Sequence, residues 1–172
     1  RESTSTTGKR SFTERTVECD LLVAGAGPAG LTAAVTAARM GLKVALAQDR
    51  PVIGGNHSSE IRVGISGAGH RPWGRYSEET GALHEFLERM ARRGEDCGVW
   101  NWGIADWVYL DMIEEEPNIE LFLNTLIADV NLSGPGMIEE AIGVQQRSEM
   151  RYRFKARFFL DCTGDGTLGH LA

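Results

Sequence analysis

Apolar and polar positions change rhythm several times along this chain. Residues 17–24 tighten from alternation into the unbroken run Leu21-Leu22-Val23-Ala24, the pattern of a parallel strand buried on both faces. From about 29 to 40, Leu31, Ala34, Val35 and Ala38 recur at helical spacing. Pro28 stands where a first helical turn needs no N–H, and Gly41 stops the run. Residues 43–47 read as a second strand. Leu83, Phe86, Leu87 and Met90 fall at i, i+3, i+4 and i+7, which predicts a helix that Ser77 caps and Gly94 ends. A further helix spans about 104–115 and stops before Pro117. Strands then follow at 119–123, 124–132, 137–145, 150–155 and 158–162, with Ser133-Gly134-Pro135-Gly136 and Arg147-Ser148 as turns. Residues 65–75, rich in Gly and holding Pro72, read as a loop.

Composition narrows the class. At 172 residues, 42% hydrophobic and 24% charged, the chain suffices for one domain with a substantial core. Residues 1–16, rich in Ser, Thr and charge, read as a mobile lead-in, and 17–172 as the domain. The net charge of −6 comes without a basic block, which argues against nucleic acid as a partner. No apolar run approaches the ~20 residues of a membrane span. Cys19, Cys97 and Cys162 lack C-x-x-C spacing, and His57, His70, His84 and His170 do not cluster with them, so neither a dithiol centre nor a metal site is expected. The absence of an initiator Met reads as a processed or partial chain, and the compartment stays open. Glu85, Glu88, Arg89, Arg92 and Arg93 read as a solvated helix face. Trp100, Trp102 and Trp107 read by default as core.

The chemistry begins at Gly25-Ala26-Gly27-Pro28-Ala29-Gly30, between the first strand and first helix. Strand, G-x-G-x-x-G, helix and strand within about 30 residues is the context this motif requires. Gly25 permits the tight turn, Gly27 lets backbone approach a pyrophosphate, and Gly30 lets helix pack on strand. The helix N-terminus offers unpaired N–H groups and partial positive charge to phosphates. At the second strand's end, Gln48 stands where a ribose-binding acid is usual, with Asp49 beside it, and an amide can also accept a ribose hydroxyl. Gly54-Gly55-Asn56-His57-Ser58-Ser59-Glu60-Ile61-Arg62 supplies a loop able to lie against a cofactor.

These segments, with Asp161-Cys162-Thr163-Gly164-Asp165-Gly166 near the end, resemble FAD-dependent oxidoreductases of the glutathione-reductase-like FAD-binding fold. The similarity is greatest to the bacterial family that carries G-G-N-x-S-S-E after the second strand. The resemblance covers about 18–169. It implies a Rossmann-like α/β domain: a parallel sheet, an antiparallel β-meander insertion, and a returning parallel strand beside FAD. It also implies cofactor contacts from Gly25, Gly27, Pro28, Ala29, Gly30, Gln48, Asp49, Arg50, Gly54, Gly55, Asn56, His57, Ser58, Ile127, Thr163, Gly164, Asp165 and Gly166. Within that set, Ile127 offers backbone to the adenine and Asp165 accepts a ribityl hydroxyl. His57, Ser58, Glu60 and Arg62 are the candidates for lining the flavin, and no base is assigned. The implied activity is hydride transfer between a small-molecule substrate and FAD. The remainder of such a protein, from the same polypeptide or another chain, is an expected partner. Two alternatives stand beside this reading. An NAD-dependent dehydrogenase shares the first strand–turn–helix but does not call for G-G-N-x-S-S-E or the T-G-D segment. A nucleotide-binding module without redox activity binds the cofactor and turns nothing over.

Overall fold

The computed structural model describes residues 11–65, 80–97 and 102–172. Strand β1 (Thr13–Ala24) leads through the glycine turn into helix α1 (Pro28–Arg39), and strand β2 (Val44–Ala47) returns beside β1. Helices α2 (Ala82–Cys97) and α3 (Trp102–Glu114) follow, then strands β3 (Ile119–Phe122), β4 (Leu126–Gly134), β5 (Met137–Gln145) and β6 (Met150–Asp161), and a last turn of helix, α4 (Thr167–Leu171). One six-stranded sheet runs in the order β3-β2-β1-β6-β5-β4. Its first four strands are mutually parallel, and β4 and β5 continue it antiparallel.

Period-two alternation assigns the side chains to two cores. Val23, Val44 and Leu46 face Leu31, Val35, Phe86, Val108 and Met112 of the three helices. Leu22, Ala24, Ala45 and Ala47 face Phe122, Ile127, Phe154 and Leu168. Both faces of β2 and of the end of β1 are thus covered, which is why 21–24 and 44–47 read as continuous apolar runs. Outside the helical layer, Arg39 of α1 bridges Glu85 and Glu116, and Arg89 of α2 bridges Glu85 and Glu115. These pairs are part-exposed, so each is worth little alone. No helix among the described residues is long and apolar enough to cross a membrane.

Several boundaries differ from the sequence expectation. β1 starts at Thr13, so residues 13–16 belong to the sheet and not to the lead-in. They pair with 150–153 of β6, and this ladder extends the strand although their side chains are polar and exposed. The two strands expected at 150–155 and 158–162 are one. Its first half closes the meander on β5 while its whole length pairs with β1, so no turn interrupts it at 156–157. α2 runs through Gly94 to Cys97, because an isolated glycine inside a helix costs only ~1 kcal/mol. Trp107 is 63% exposed on α3 and is not core, whereas Trp102 meets the His57 ring edge-on. Ser77, Trp100 and most of the loop expected at 65–75 lie outside the described residues.

Candidate functional site

Three loops at the C-terminal ends of β1, β2 and β6 enclose a cavity of about 370 Å³. This is where an open α/β sheet places its ligands. The glycine turn forms the floor. Gly25 has φ +95°, and a Cβ there would lie 2.6 Å from the Cys162 carbonyl carbon. A Cβ on Gly30 would overlap the Gly25 carbonyl oxygen and lie 3.0 Å from its carbon. The turn is pinned by Gly25 N–H to Ala47 O at 2.8 Å and Cys162 N–H to Ala24 O at 2.7 Å. Strand β6 is therefore fixed against the start of α1.

α1 begins with Gly27 as its N-cap, Pro28 in its first turn, no capping side chain and no acidic residue there. Its first N–H groups have no partner within the helix, and the helix dipole adds partial positive charge at the cavity. An anion, and a phosphate in particular, matches that surface.

The end of β2 supplies one wall. Gln48 lies at the cavity, yet its side chain is buried and its Oε1 accepts the Ala26 N–H at 2.7 Å. Its amide braces the glycine turn, which leaves the exposed Asp49 carboxylate as the acid at this wall. Asn124 N–H to Arg50 O and Thr125 N–H to Gln48 O, at 3.1 and 2.8 Å, zip this segment to the entry of β4. That pairing brings Thr125, Leu126 and Ile127 to the cavity.

The D-C-T-G-D-G segment supplies the opposite wall. Asp161 closes it. One carboxylate oxygen accepts the Thr163 N–H and hydroxyl at 2.9 and 2.7 Å, and the other accepts the Gly169 N–H at 2.8 Å. The Thr163 hydroxyl oxygen in turn accepts the Thr167 N–H at 2.8 Å. Burial alone would raise the Asp161 pKa, but bonds from Gly169, Thr163 and Leu168 hold it below the ordinary carboxylate value. Asp165 is left exposed, at the cavity. The Cys162 thiol, also at the cavity, is pushed up by burial and by the Asp161 carboxylate.

Of the residues expected at the site, Gly25, Gly27, Pro28, Ala29, Gln48, Asp49, Arg50, Gly55, Asn56, Ile127, Thr163, Gly164 and Asp165 line this one cavity. Gly30, Gly54 and Gly166 shape the backbone behind it. His57 and Ser58 turn the other way. Both are buried: Ser58 Oγ donates to Gly55 O at 2.7 Å, and His57 Nδ1 lies 2.9 Å from the Tyr109 hydroxyl. The short 3₁₀ turn over Gly55–His57 is the cause. Successive side chains rotate by about 120° there, so if Asn56 faces the cavity its neighbour faces the core. Glu60 and Arg62 are exposed beyond the cavity lining. The sequence reasoning passed over Asp161, whose signal was Asp-x-Thr at a strand end, a local side-chain-to-backbone turn. It also passed over Thr125 and Leu126, which only the β2–β4 pairing reveals.

A cavity with phosphate-ready N–H groups at one loop and carboxylates at both ends suits an extended dinucleotide. Comparisons with known proteins agree. The chain is 28% identical over 127 residues to a 4-oxocyclohex-2-ene-1-carboxylate 5-dehydrogenase of Sinomonas cyclohexanicum, which covers 71% of this chain and 21% of that protein. The fold is shared with the L-proline dehydrogenase of P. horikoshii (TM-score 0.53, 18% identity, 92% of this chain and 25% of that one). It is also shared with E. coli quinol fumarate reductase (TM-score 0.55, 17% identity, 87% and 33%). The chain thus spans about a fifth of the curated relative's length and a quarter to a third of these solved chains. The family model for FAD dependent oxidoreductases matches residues 20–172, and the chain belongs to that family, with FAD as its cofactor.

Proposed function

We propose that this chain is the FAD-binding portion of a flavin-dependent oxidoreductase that moves a hydride between a small organic substrate and the flavin. The observation that carries the reading is convergence. Loops separated by more than a hundred residues meet in one cavity and bring to it a helix N-terminus, the Arg50 guanidinium and the Asp49 and Asp165 carboxylates. In this reading the N-terminus of α1, with Gly27 and Ala29, receives the pyrophosphate. Asp49 accepts the adenosine ribose hydroxyls, and the backbone at Ile127 meets the adenine. Asp165, on the loop that Asp161 and Thr163 hold, accepts a ribityl hydroxyl. Gln48 keeps the glycine turn in place and Arg50 supplies positive charge at the rim.

When bound, FAD supplies the redox chemistry, taking two electrons and a proton as hydride from a substrate C–H. The protein's part is to hold the cofactor and to set the charge around it. The named activity of the Sinomonas relative makes cyclic keto-carboxylates the first substrates to try. The test is direct. Protein purified with its flavin should show the yellow oxidised spectrum, release FAD on denaturation at one per chain, and bleach anaerobically with a substrate from that panel. Colour without bleaching on any donor leaves a binding module. A colourless protein that takes up no added FAD overturns the reading.

A further inference from the structure

The loop that carries Gly55 and Asn56 to the cavity is held from behind by a buried aromatic box. Gly54 has φ +109°, and a Cβ on it would strike the Tyr109 ring of α3 at 2.6 Å. The Gly54 N–H donates to Ala26 O at 2.8 Å, and Gly55 packs on Gly27 so closely that an added Cβ would lie 3.1 Å from the Gly27 Cα. The loop is thus pressed between Tyr109 and the phosphate turn. Ser58 and Ser59 bond it to Gly55 O and Asp106, and a further anchor is His57. The ring sits edge-on to Phe86, Trp102 and Tyr109, with centroids 5.4, 5.2 and 5.7 Å away, and Nδ1 is 2.9 Å from the Tyr109 hydroxyl.

We propose that His57 and Tyr109 are positioning residues for the cofactor site: the neutral pair latches the Gly54–Asn56 loop against the glycine turn, and protonation of His57 releases it. The inference rests on the FAD reading of the cavity. If Tyr109 donates to Nδ1, an added proton reverses that bond, so that Nδ1–H donates to the Tyr109 oxygen and the hydroxyl must turn its own hydrogen elsewhere. If Nδ1–H donates to Tyr109, the added proton enters at Nε2, on a ring enclosed by Phe86, Trp102 and Tyr109. In either tautomer the added charge lies on a buried ring among uncharged aromatic side chains, and that burial resists protonation while the loop is closed. The charges around the ring do not reverse this. α2 presents the uncharged Phe86, α3 presents Trp102, Tyr109 and Asp106, and Glu60 and Arg62 on the loop itself are exposed. Asp106 is engaged by the Ser59 N–H at 2.9 Å and by the Ser59 hydroxyl. Burial lowers the His57 pKa from its ordinary 6.5, and Asp106 opposes that only in part.

The sign follows from linkage. The closed loop binds the proton less well than the open loop, so closure is complete above about pH 6.5 and weakens as pH falls towards the lowered closed-state value. FAD selects the closed loop, so across that window its dissociation constant should rise by up to about tenfold per pH unit.

Two readouts on the full chain test this. FAD affinity is measured by flavin fluorescence from pH 7.5 to 5.0, with far-UV circular dichroism confirming the fold. The amide shifts of Gly54, Gly55 and Asn56 are followed over the same range without FAD, beside the His57 imidazole signal. The expected result is a common midpoint below 6.5 and acid-weakened FAD binding. Both should be flattened in His57→Asn, which keeps a polar atom near Nδ1 but cannot be protonated. Tyr109→Phe keeps the ring against Gly54, and it should weaken FAD about tenfold at pH 7.5. Flat wild-type affinity over this range, an unchanged slope in His57→Asn, or loop amides that ignore His57 would each overturn the proposal. Amides that titrate with His57 in a chain that binds no FAD at any pH would uphold the latch and refute the cofactor reading instead. Should His57→Asn not fold, the wild-type profile and Tyr109→Phe still decide.

Discussion

Gly27 and Gly30 belong to the same six-residue motif, yet the structure gives them different work, and substituting each by alanine separates the two. Gly27 has φ −68° and ψ 179°, extended backbone that any residue adopts. An added Cβ would meet nothing nearer than the Gly55 Cα at 4.0 Å, ordinary van der Waals contact. Gly27→Ala should therefore keep the stability of the ligand-free fold within about 0.5 kcal/mol. The space its glycine leaves open faces the cavity. A phosphate oxygen bonded to backbone N–H must come to ~2.9 Å, while a methyl carbon keeps neighbours at ~3.5 Å. Losing one such charge-assisted bond removes ~1.5–3 kcal/mol, which is about ten- to a hundredfold in FAD affinity. Gly27→Val should lose more. At Gly30 the methyl would overlap the Gly25 carbonyl oxygen and lie 3.2 Å from the Cys162 Cβ. Overpacking of this kind costs ~1–3 kcal/mol or more, so Gly30→Ala should melt several degrees lower at ~2–4 °C per kcal/mol. The assay pairs thermal unfolding of each ligand-free variant with an FAD titration. If Gly27→Ala binds FAD within threefold of wild type, or melts as low as Gly30→Ala, the phosphate-cradle argument is wrong.

Asp165→Ala should weaken FAD about ten- to a hundredfold by loss of one charge-assisted bond while leaving the melting temperature unchanged; a variant that unfolds but binds normally per folded molecule would make Asp165 a turn-former. Asp161→Asn should loosen the whole 161–169 segment, read as faster amide exchange at Thr163 and Gly169 together with weaker FAD binding. The same carboxylate gives a pH dependence. Its folded pKa lies below the ordinary 3.8, so its stabilising contribution is full above that value and is lost as pH falls through the folded one. Acid unfolding of Asp161→Asn should therefore be shallower than wild type. Cys162 lines the cavity and Cys19 does not, so bound FAD should slow alkylation of Cys162 and leave that of Cys19 unchanged. Its raised pKa calls for labelling near pH ~9, and equal protection of both thiols would place the cofactor elsewhere.

How much of this was legible in advance divides along physical lines. The parallel strands and α1 were readable because burial on two faces, or on one helical stripe, leaves a period in the sequence. The three loops at the cavity were readable because tight backbone approach demands glycine, and glycine at fixed spacing survives as a written motif. What the sequence did not disclose is which way a side chain turns once the backbone leaves regular structure. Gln48 was expected to face a ribose. Its position at the end of β2 was right, but its amide is spent on Ala26, because the glycine turn leaves that N–H without a strand or helix partner. His57 was expected beside the flavin, and one 3₁₀ step sends it into the core.

These displacements share a cause, and it bears on how the site is held. A loop built from glycines has little intrinsic preference for one shape, so its conformation must be imposed by neighbours. Gln48 imposes it on the first glycine turn, His57 and Tyr109 on the second, and Asp161 on the segment before Asp165. Each of these polar groups is satisfied by partners in the protein, and among the described residues no buried side-chain nitrogen or oxygen is left unbonded. A buried polar group whose partner is removed costs more than the bond returned when intact. The three braces therefore restrict the loops to the arrangement in which Gly27, Gly55 and Asp165 face one cavity. That preorganisation reduces the ordering cost of binding a long, flexible dinucleotide. It follows that removing a brace should cost affinity without removing a cofactor contact, and the slow step it introduces should be loop closure. Stopped-flow binding of FAD to Gln48→Ala would show this as a rate that saturates with FAD concentration, where wild type stays linear.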